Sequence, residues 1–375
     1  MAKKHEKKGL GVIDVVILLL IVGGLGVLCY PFVSDAYVSY QNQQTIDAYQ
    51  QMETKKNNRA LAKGLRAYQA KNAQLAKAHT VPGVNHFNAA VNAQGTADTQ
   101  AKRDQATLAN QTVAQLTIPK IHLSLPVFDH TTDWLLQFGA CRLDGTSYPT
   151  GGKSTHAVIS AHRGVPNATL FTRLPKLKKG DKFFIKIGDR HLAYQVFKRQ
   201  VIKPTAVNAL TIVPNQDLVT LMTCTPYMVN SHRLLITGRR IPYTAADNKA
   251  SQEAALWNKL KLLFWAVMGL LLGGLLVALS RGLLISRSTY ALTEVVRDET
   301  GAVLPGVEVV IRRGHKTIDV LRSDRSGRVS TQLAGGKYHL QVRDSRHGYV
   351  ATAVVKHWRD PQFTIKRTKS NKFRT

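Results

Sequence analysis

Residues 220–240 read TLMTCTPYMVNSHRLLITGRR, and this stretch decides how the rest of the chain is interpreted. Its first half is apolar and ends at Cys224, so it predicts a buried strand with a thiol at its end. A proline turn and a polar loop follow, and a second apolar run begins at Arg233. In an antiparallel pair the thiol and the guanidinium would be neighbours, able to act on the same reacting group.

The composition narrows the class of protein. The chain has 375 residues and a formal net charge of +29, which on a soluble protein would suggest nucleic-acid binding. The chain carries no nucleic-acid motif. It has two long apolar segments, and membrane proteins keep basic residues beside such segments, which accounts for much of the positive charge. We therefore expect no nucleic-acid partner. Three cysteines do not form a disulfide framework, and only Cys224 lies between a strand and a polar loop. We expect neither a metal site nor a cofactor.

Two apolar segments predict membrane-spanning helices. The chain is uncharged from Val15 to Val33 and again from Leu262 to Ser280, and each run is long enough to cross a bilayer. The basic head MAKKHEKK places the N-terminus in the cytoplasm. A cleaved signal peptide is the alternative for the first segment, but no small-x-small site follows it convincingly. We therefore predict a two-pass protein of the cell membrane, with both termini cytoplasmic and the region between the helices extracellular.

The remaining patterns divide the chain into further segments. Helical spacing predicts helices after the first span, and Pro82 and Gly83 mark a loop within residues 79–90. Short strands then follow without long helices between them, which favours a small closed or nearly closed barrel. The prolines of residues 116–127 predict edge strands. Alternating residues after Ser288 predict a β-sandwich. The predicted segments are a basic head (1–9), transmembrane helix 1 (10–33), an extracellular helical and lid region (34–115), the barrel (116–245), transmembrane helix 2 (256–280) and the β-sandwich (288–370).

Three side chains form a candidate catalytic site. Cys224 needs activation, since a free thiol is only a few per cent thiolate at neutral pH. His162 ends an apolar strand and precedes a Gly/Pro turn, as Cys224 ends its own strand. Arg233 offers a rigid, permanently charged fork that can hold a carbonyl or an oxyanion. A structural histidine and a salt-bridged arginine at the barrel rim are the competing interpretations.

Two motifs carry a resemblance to a known family. Residues 220–240 resemble the TLxTCxPYxxNxxRLLVxGxR motif of class C sortases, the pilin-polymerising transpeptidases of Gram-positive bacteria. LDGTSYPTGGKSTHAVISAHRGVPNATLFTRLPKLKKGD (143–181) is similar to the histidine segment of that family. The resemblance covers about residues 34–280 and implies an eight-stranded sortase-type β-barrel.

The resemblance also implies a reaction. Cys224 would attack the Thr–Gly bond of an LPXTG-type sorting signal and form a thioester, which a lysine amine of a pilin subunit would resolve. His162 would protonate the leaving amine, and Arg233 would hold the signal and the developing oxyanion. Thr223 would line the substrate pocket, or else pack as an ordinary strand residue.

The sequence departs from the family pattern in two places. Class C sortases usually carry a lid with an Asp-Pro-aromatic plug, whereas VPGVNHFNAA (81–90) has no Asp-Pro pair. Phe87 or His86 are the candidate lid residues, with no aspartate to anchor them to Arg233, so autoinhibition stays open. The tail is similar to carboxypeptidase-regulatory-like β-sandwich modules. Its basic charge would attract anionic lipid or simply be solvated.

The leading hypothesis is a mainly β, membrane-bound transpeptidase that polymerises LPXTG-bearing pilins. The first alternative is a sortase that anchors surface proteins to peptidoglycan. The second is a non-enzymatic envelope scaffold, which predicts full function after Cys224→Ala. A hydrolytic cysteine protease would release the acyl group to water rather than to an amine.

Overall fold

The computed structural model describes residues 11–78, 82–92, 104–165, 168–298, 301–342 and 350–368. The chain divides into two compact units, one of residues 25–267 and one of residues 1–24 with 268–375. The α-helices in the described ranges are α1 (Val12–Lys55), α2 (Asn58–Ala78), α3 (Val84–Asn92), α4 (Gln105–Gln111), α5 (Asp133–Phe138) and α6 (Ala245–Arg287).

A closed eight-stranded barrel forms the centre of the first unit and confirms the predicted fold class. Its strands are β1 (Thr112–Ile118), β2 (Leu123–Phe128), β3 (Ala140–Arg142), β4 (Thr155–Ser160), β5 (Lys182–Ile187), β6 (Arg190–Ile202), β7 (Asp217–Thr225) and β8 (His232–Ile241). They follow the order β1-β2-β3-β4-β7-β8-β6-β5, and β5 pairs with β1 to close the barrel. The pairs β2/β3 and β4/β7 are parallel.

The first strand begins at Thr112, directly after α4, and the predicted domain boundary at residue 116 stays a prediction. The expectation of edge strands at the start of the barrel was wrong. The strands of residues 116–127 are not both edges, since β1 pairs with β2 and with β5. Pro126 is tolerated in β2 because β3 pairs only with Val127 and Phe128, which leaves the earlier part of that side of β2 without a neighbour.

The strands of the barrel have two different faces. Val219 and Leu221 of β7 belong to the cluster that fills the barrel interior. Met222 and Cys224 alternate with them and belong to a second cluster on the outer face, together with residues of α3 and α5. This period of two is what a pleated strand imposes, and it places the thiol outside the barrel wall.

The N-terminal helices pack against the barrel. The hydroxyl of Tyr49 in α1 donates to the carbonyl of Val113 at 2.8 Å. The amide of Asn72 in α2 donates to the carbonyl of Tyr148 at 3.0 Å and accepts from its N–H at 2.7 Å. The loop predicted over residues 79–90 was only partly right, because residues 84–92 form α3 directly after Pro82 and Gly83.

Helices α1 and α6 are each long and apolar enough to cross a membrane, by length and composition alone. Within the first unit they are neighbours, since the rings of Phe32 and Trp265 stack with centroids 5.4 Å apart. Lys261 forms an ion pair with Asp35 beside this stack. Both helices continue beyond the predicted spans as unbroken helices.

The second unit contains two sheets after α6. Its strands are β9 (Thr289–Val295), β10 (Glu308–Arg313), β11 (Lys316–Arg322), β12 (Arg328–Ala334), β13 (Lys337–Val342), β14 (Val350–Val354) and β15 (Thr364–Thr368). One sheet has the order β11-β10-β13-β14-β15, and the other pairs β12 with β9. Buried residues of both sheets form a single core, including Tyr290, Val329 and Leu340.

Candidate active site

Strand β7 and the segments beside it place the three predicted catalytic residues at the same end of the sheet. Cys224 is the direct register partner of Arg233 on β8. On the other side of β7, Ser160 of β4 pairs with Met222, and the N–H of Ala161 donates to the carbonyl of Met222 at 3.2 Å. The chain after β4 continues parallel to β7. His162, two residues after Ser160, is therefore level with Cys224, two residues after Met222. The sequence could indicate the first pair because the loop between the two strands is short.

Helix α3 covers this end of the sheet. Cys224 is only 1% exposed, and Phe87 of α3 is fully buried in the same outer-face cluster. Val84, one turn earlier, contributes to the same cluster. The thiol is therefore hidden by a nine-residue helix and its neighbours, and not by the interior of the barrel.

All three nitrogens of the Arg233 guanidinium donate hydrogen bonds. Its Nε and Nη2 both donate to Oδ1 of Asn88 in α3, at 3.2 and 2.8 Å. Its Nη1 donates to the carbonyls of Asn230 and His232, at 2.8 and 3.0 Å. The ring of Phe87 lies 5.6 Å from the guanidinium carbon. Asn88 thus anchors α3 where the sequence, lacking an aspartate, offered no evident partner.

The two other candidates of the sequence are placed differently. Thr223 is fully buried, and its hydroxyl donates to the carbonyl of Ala161 at 2.8 Å. It links β7 to the segment that leads to His162, and its contact with substrate stays a prediction. His86 lies on α3, but its side chain is outside the described residues.

A second cation, Arg163, was not singled out as a functional residue. Its Nη1 donates to the carbonyl of Cys224 at 3.3 Å and to the hydroxyl of Thr225 at 3.2 Å. Its guanidinium carbon lies 5.6 Å from the ring centre of Tyr227. The only available signal was its position next to His162 at the end of a strand.

Burial controls the protonation of the site. Desolvation raises the pKa of the Cys224 thiol, and the charges of Arg233 and Arg163 oppose this shift. Desolvation also lowers the pKa of His162 to about 4, and its Nδ1 is buried with no hydrogen-bond partner in the described part of the chain. With α3 in place, the site therefore holds a neutral thiol and a neutral imidazole at pH 7.

The arrangement suits acyl transfer. It offers a thiol nucleophile, an imidazole able to carry a proton, and a fixed cation for a developing oxyanion. Among the residues that the structure describes, no group of three or more His, Cys, Asp or Glu could hold a metal ion.

Comparison with known proteins gives consistent matches. The model of the sortase-domain family matches residues 116–241. The chain is 24% identical to sortase A of Bacillus anthracis over 224 residues, which cover 60% of this chain and 91% of that protein. It is 36% identical to sortase C1 of group B Streptococcus (GBS) pilus island 1, with 54% of this chain and 92% of that one covered and a TM-score of 0.46. Sortase C of Streptococcus pneumoniae is also 36% identical, with 53% and 97% covered and a TM-score of 0.44.

Proposed function

The chain belongs to the sortase family of transpeptidases, and from this premise we propose that it is a membrane-anchored enzyme that polymerises pilins. It would cleave an LPXTG-type signal between Thr and Gly and join the Thr to a lysine amine of a pilin subunit. The observation that carries this proposal is the register pair of Cys224 and Arg233, with His162 alongside. The pilin part is supported by the two motifs that resemble class C sortases and by the 36% identity to an S. pneumoniae sortase C described for its pilin substrate specificity.

In the proposed first half-reaction, the Cys224 thiol gives its proton to His162 once α3 has moved, and the resulting thiolate attacks the carbonyl carbon of the signal threonine. Arg233 stabilises the negative charge that develops on the carbonyl oxygen. The C–N bond to glycine then breaks, and His162 gives a proton to the leaving amine. The products are a thioester between Cys224 and the signal threonine, and a released fragment that begins with glycine.

In the proposed second half-reaction, a lysine amine of the next pilin attacks the thioester carbon. His162, now without its proton, accepts one from the attacking nitrogen. The C–S bond breaks and an isopeptide bond forms, which returns the thiolate of Cys224. An amine from peptidoglycan in place of the pilin lysine would make this an anchoring sortase.

We propose that α3 acts as a lid that must move before substrate binds. The Oδ1 atom of Asn88 accepts hydrogen bonds from Nε and Nη2 of Arg233. These two parallel N–H groups are the donors best placed to bind the carbonyl oxygen of a substrate. Phe87 fills the space over Cys224. A substrate carbonyl would take the position of the Asn88 oxygen, so binding and lid release would be one event.

We also keep the predicted topology as part of the proposal. Helices α1 and α6 would anchor the enzyme in the cell membrane, with residues 34–245 outside the cell and both termini in the cytoplasm. The two-pass arrangement would hold the barrel close to the membrane, where secreted proteins with a sorting signal emerge.

The test uses the full chain in detergent or nanodiscs with an LPXTG peptide and a pilin that carries such a signal. We expect a thioester adduct on Cys224 by mass spectrometry and a ladder of pilin polymers on a denaturing gel. Cys224→Ala should abolish both products. Full polymerisation by that variant would favour a scaffold, transfer only to a peptidoglycan amine would favour an anchoring sortase, and release to water alone would favour a protease.

A further inference from the structure

The C-terminal sheets are attached to α6 without a linker. Ser288 follows the last helical residue, and β9 begins at Thr289. The N–H of Gly335 donates to the carbonyl of Ser288 at 2.9 Å, and the indole of Trp358 donates to its hydroxyl at 3.2 Å. Ile285 of the last helical turn packs against the core of the sheets. The orientation of the sheets is therefore fixed by the end of the helix.

The strand register shows that three turns between strands lie at the same end of the sheets, the end at which α6 joins them. Thr289 at the start of β9 pairs with Ala334 at the end of β12, which places the turn before β13 at that end. Lys337 at the start of β13 pairs with Val354 at the end of β14. The end of β10 lies alongside, since Arg312 pairs with His339 of β13. We call residues 312–316, 335–337 and 356–360 the junction face.

The junction face is strongly basic. Its cations are all exposed, and they are Arg312, Arg313, Lys316, Lys337, Lys356 and Arg359. Its only acid is Asp360. At the opposite end, the described residues of 296–308 and 322–328 carry four cations, Arg297, Arg322, Arg325 and Arg328, against three acids, Asp298, Glu308 and Asp324. Among the described residues, the excess of positive charge is therefore larger at the end nearest the helix.

The length of α6 beyond its uncharged run determines how far the junction face lies from the hydrocarbon core of the membrane. The helix is uncharged up to Ser280, and seven more helical residues follow, from Arg281 to Arg287. At about 1.5 Å per residue they span about 10 Å, slightly more than the roughly 5–8 Å depth of one headgroup layer. Arg287 also pairs with Asp14 near the start of α1, so the two apolar helices reach this level together. The junction face thus begins at the outer edge of the headgroup layer, where its long side chains can reach lipid phosphates.

We infer that the junction face binds the anionic headgroups of the membrane that α6 crosses. Each exposed Lys or Arg at a membrane surface contributes attraction to anionic lipid, and six of them on a rigidly held face act together. This role is independent of the transpeptidase chemistry and rests only on the proposed crossing by α6. The bound partner is a lipid surface of phosphodiester headgroups, and not a soluble phosphate.

The test is hydrogen exchange of the full chain in nanodiscs of phosphatidylcholine with and without phosphatidylglycerol. We expect amides of the junction face to exchange at least about fivefold more slowly when phosphatidylglycerol is present, and this protection to disappear in about 1 M NaCl, where the Debye length is about 3 Å. The variant Lys316→Ser/Lys337→Ser/Lys356→Ser should lose the protection. The matched variant Arg322→Ser/Arg325→Ser/Arg328→Ser removes as many charges from the opposite end and should keep it.

Several outcomes would overturn the inference. They are equal exchange in both lipids, equal loss of protection in the two variants, and protection by inorganic phosphate added to phosphatidylcholine nanodiscs. Thioester formation on Cys224, measured in the same samples, reports separately on the transpeptidase. Failure of the lipid experiment with normal thioester formation would therefore leave the proposed function standing.

Discussion

Asn88 holds the guanidinium of Arg233 through a single oxygen, which accepts hydrogen bonds from Nε at 3.2 Å and from Nη2 at 2.8 Å. A neutral amide thus takes the place at which an aspartate would form an ion pair. Because a neutral acceptor binds a cation less strongly than a carboxylate does, the contact can fix α3 and still be exchanged for a substrate carbonyl.

The first prediction concerns release of the lid. Asn88→Ala removes both hydrogen bonds to Arg233, and hydrogen bonds to charged groups contribute about 1.5–3 kcal/mol each. We expect Cys224 to react at least about tenfold faster with a maleimide, which corresponds to about 1.4 kcal/mol in the opening equilibrium. The rate is measured in a Cys29→Ser background with the labelled residue mapped by mass spectrometry.

Asn85→Ala is the matched control for this prediction. Asn85 lies on the same helix and is exposed, so its removal should leave the labelling rate unchanged. An unchanged rate in Asn88→Ala would mean that the hydrogen bonds to Arg233 do not hold α3 closed. Equal acceleration in both variants would indicate a general loss of helix stability instead.

The second prediction concerns pH. Burial raises the pKa of Cys224 while the two nearby arginines lower it, so removing the cover should leave the arginine effect dominant. We expect Phe87→Ala to shift the pH midpoint of Cys224 alkylation to a lower value than in the wild type. Phe87→Leu keeps an apolar cover and should shift it less. A midpoint that stays in place or rises in Phe87→Ala would contradict the role of the lid in desolvation.

Much of the barrel and the site could be predicted from the sequence because the signals are local. Period-two alternation marked β7 and β8, and the short loop between them implied the pairing of Cys224 with Arg233. The strand-end position of His162 placed it at the same rim. Each of these follows from geometry that neighbouring residues determine.

The cover over the site could not be predicted in the same way. Pro82 and Gly83 indicated a loop, and a helix as short as α3 carries little periodic signal. Asn88 is a neutral polar residue whose role exists only through a contact with Arg233, 145 residues away in the chain. The strand β3 was also missed, since three residues show no alternation.

The third prediction concerns Arg163. Its guanidinium contacts the carbonyl of Cys224 and contributes a positive charge beside the thiolate. We expect Arg163→Gln to raise the pH midpoint of Cys224 alkylation and to slow thioester formation by roughly tenfold, since about 1.4 kcal/mol corresponds to that factor. Arg173→Gln removes an exposed cation from the following turn and should change neither quantity. A lower rate without a shift in the midpoint would assign Arg163 to loop structure alone.

The fourth prediction separates two roles of Thr223. The structure shows its hydroxyl donating to the carbonyl of Ala161, one residue before His162, so Thr223→Val leaves a buried carbonyl without that donor. We expect a loss of about 1–3 kcal/mol in the free energy of unfolding. We also expect a lower kcat with an unchanged KM, because the segment that carries His162 would lose a supporting hydrogen bond while the substrate pocket stays intact. Thr223→Ser retains the donor and should preserve both quantities. A raised KM with normal kcat in Thr223→Val would instead show that this side chain contacts the sorting signal once α3 has moved.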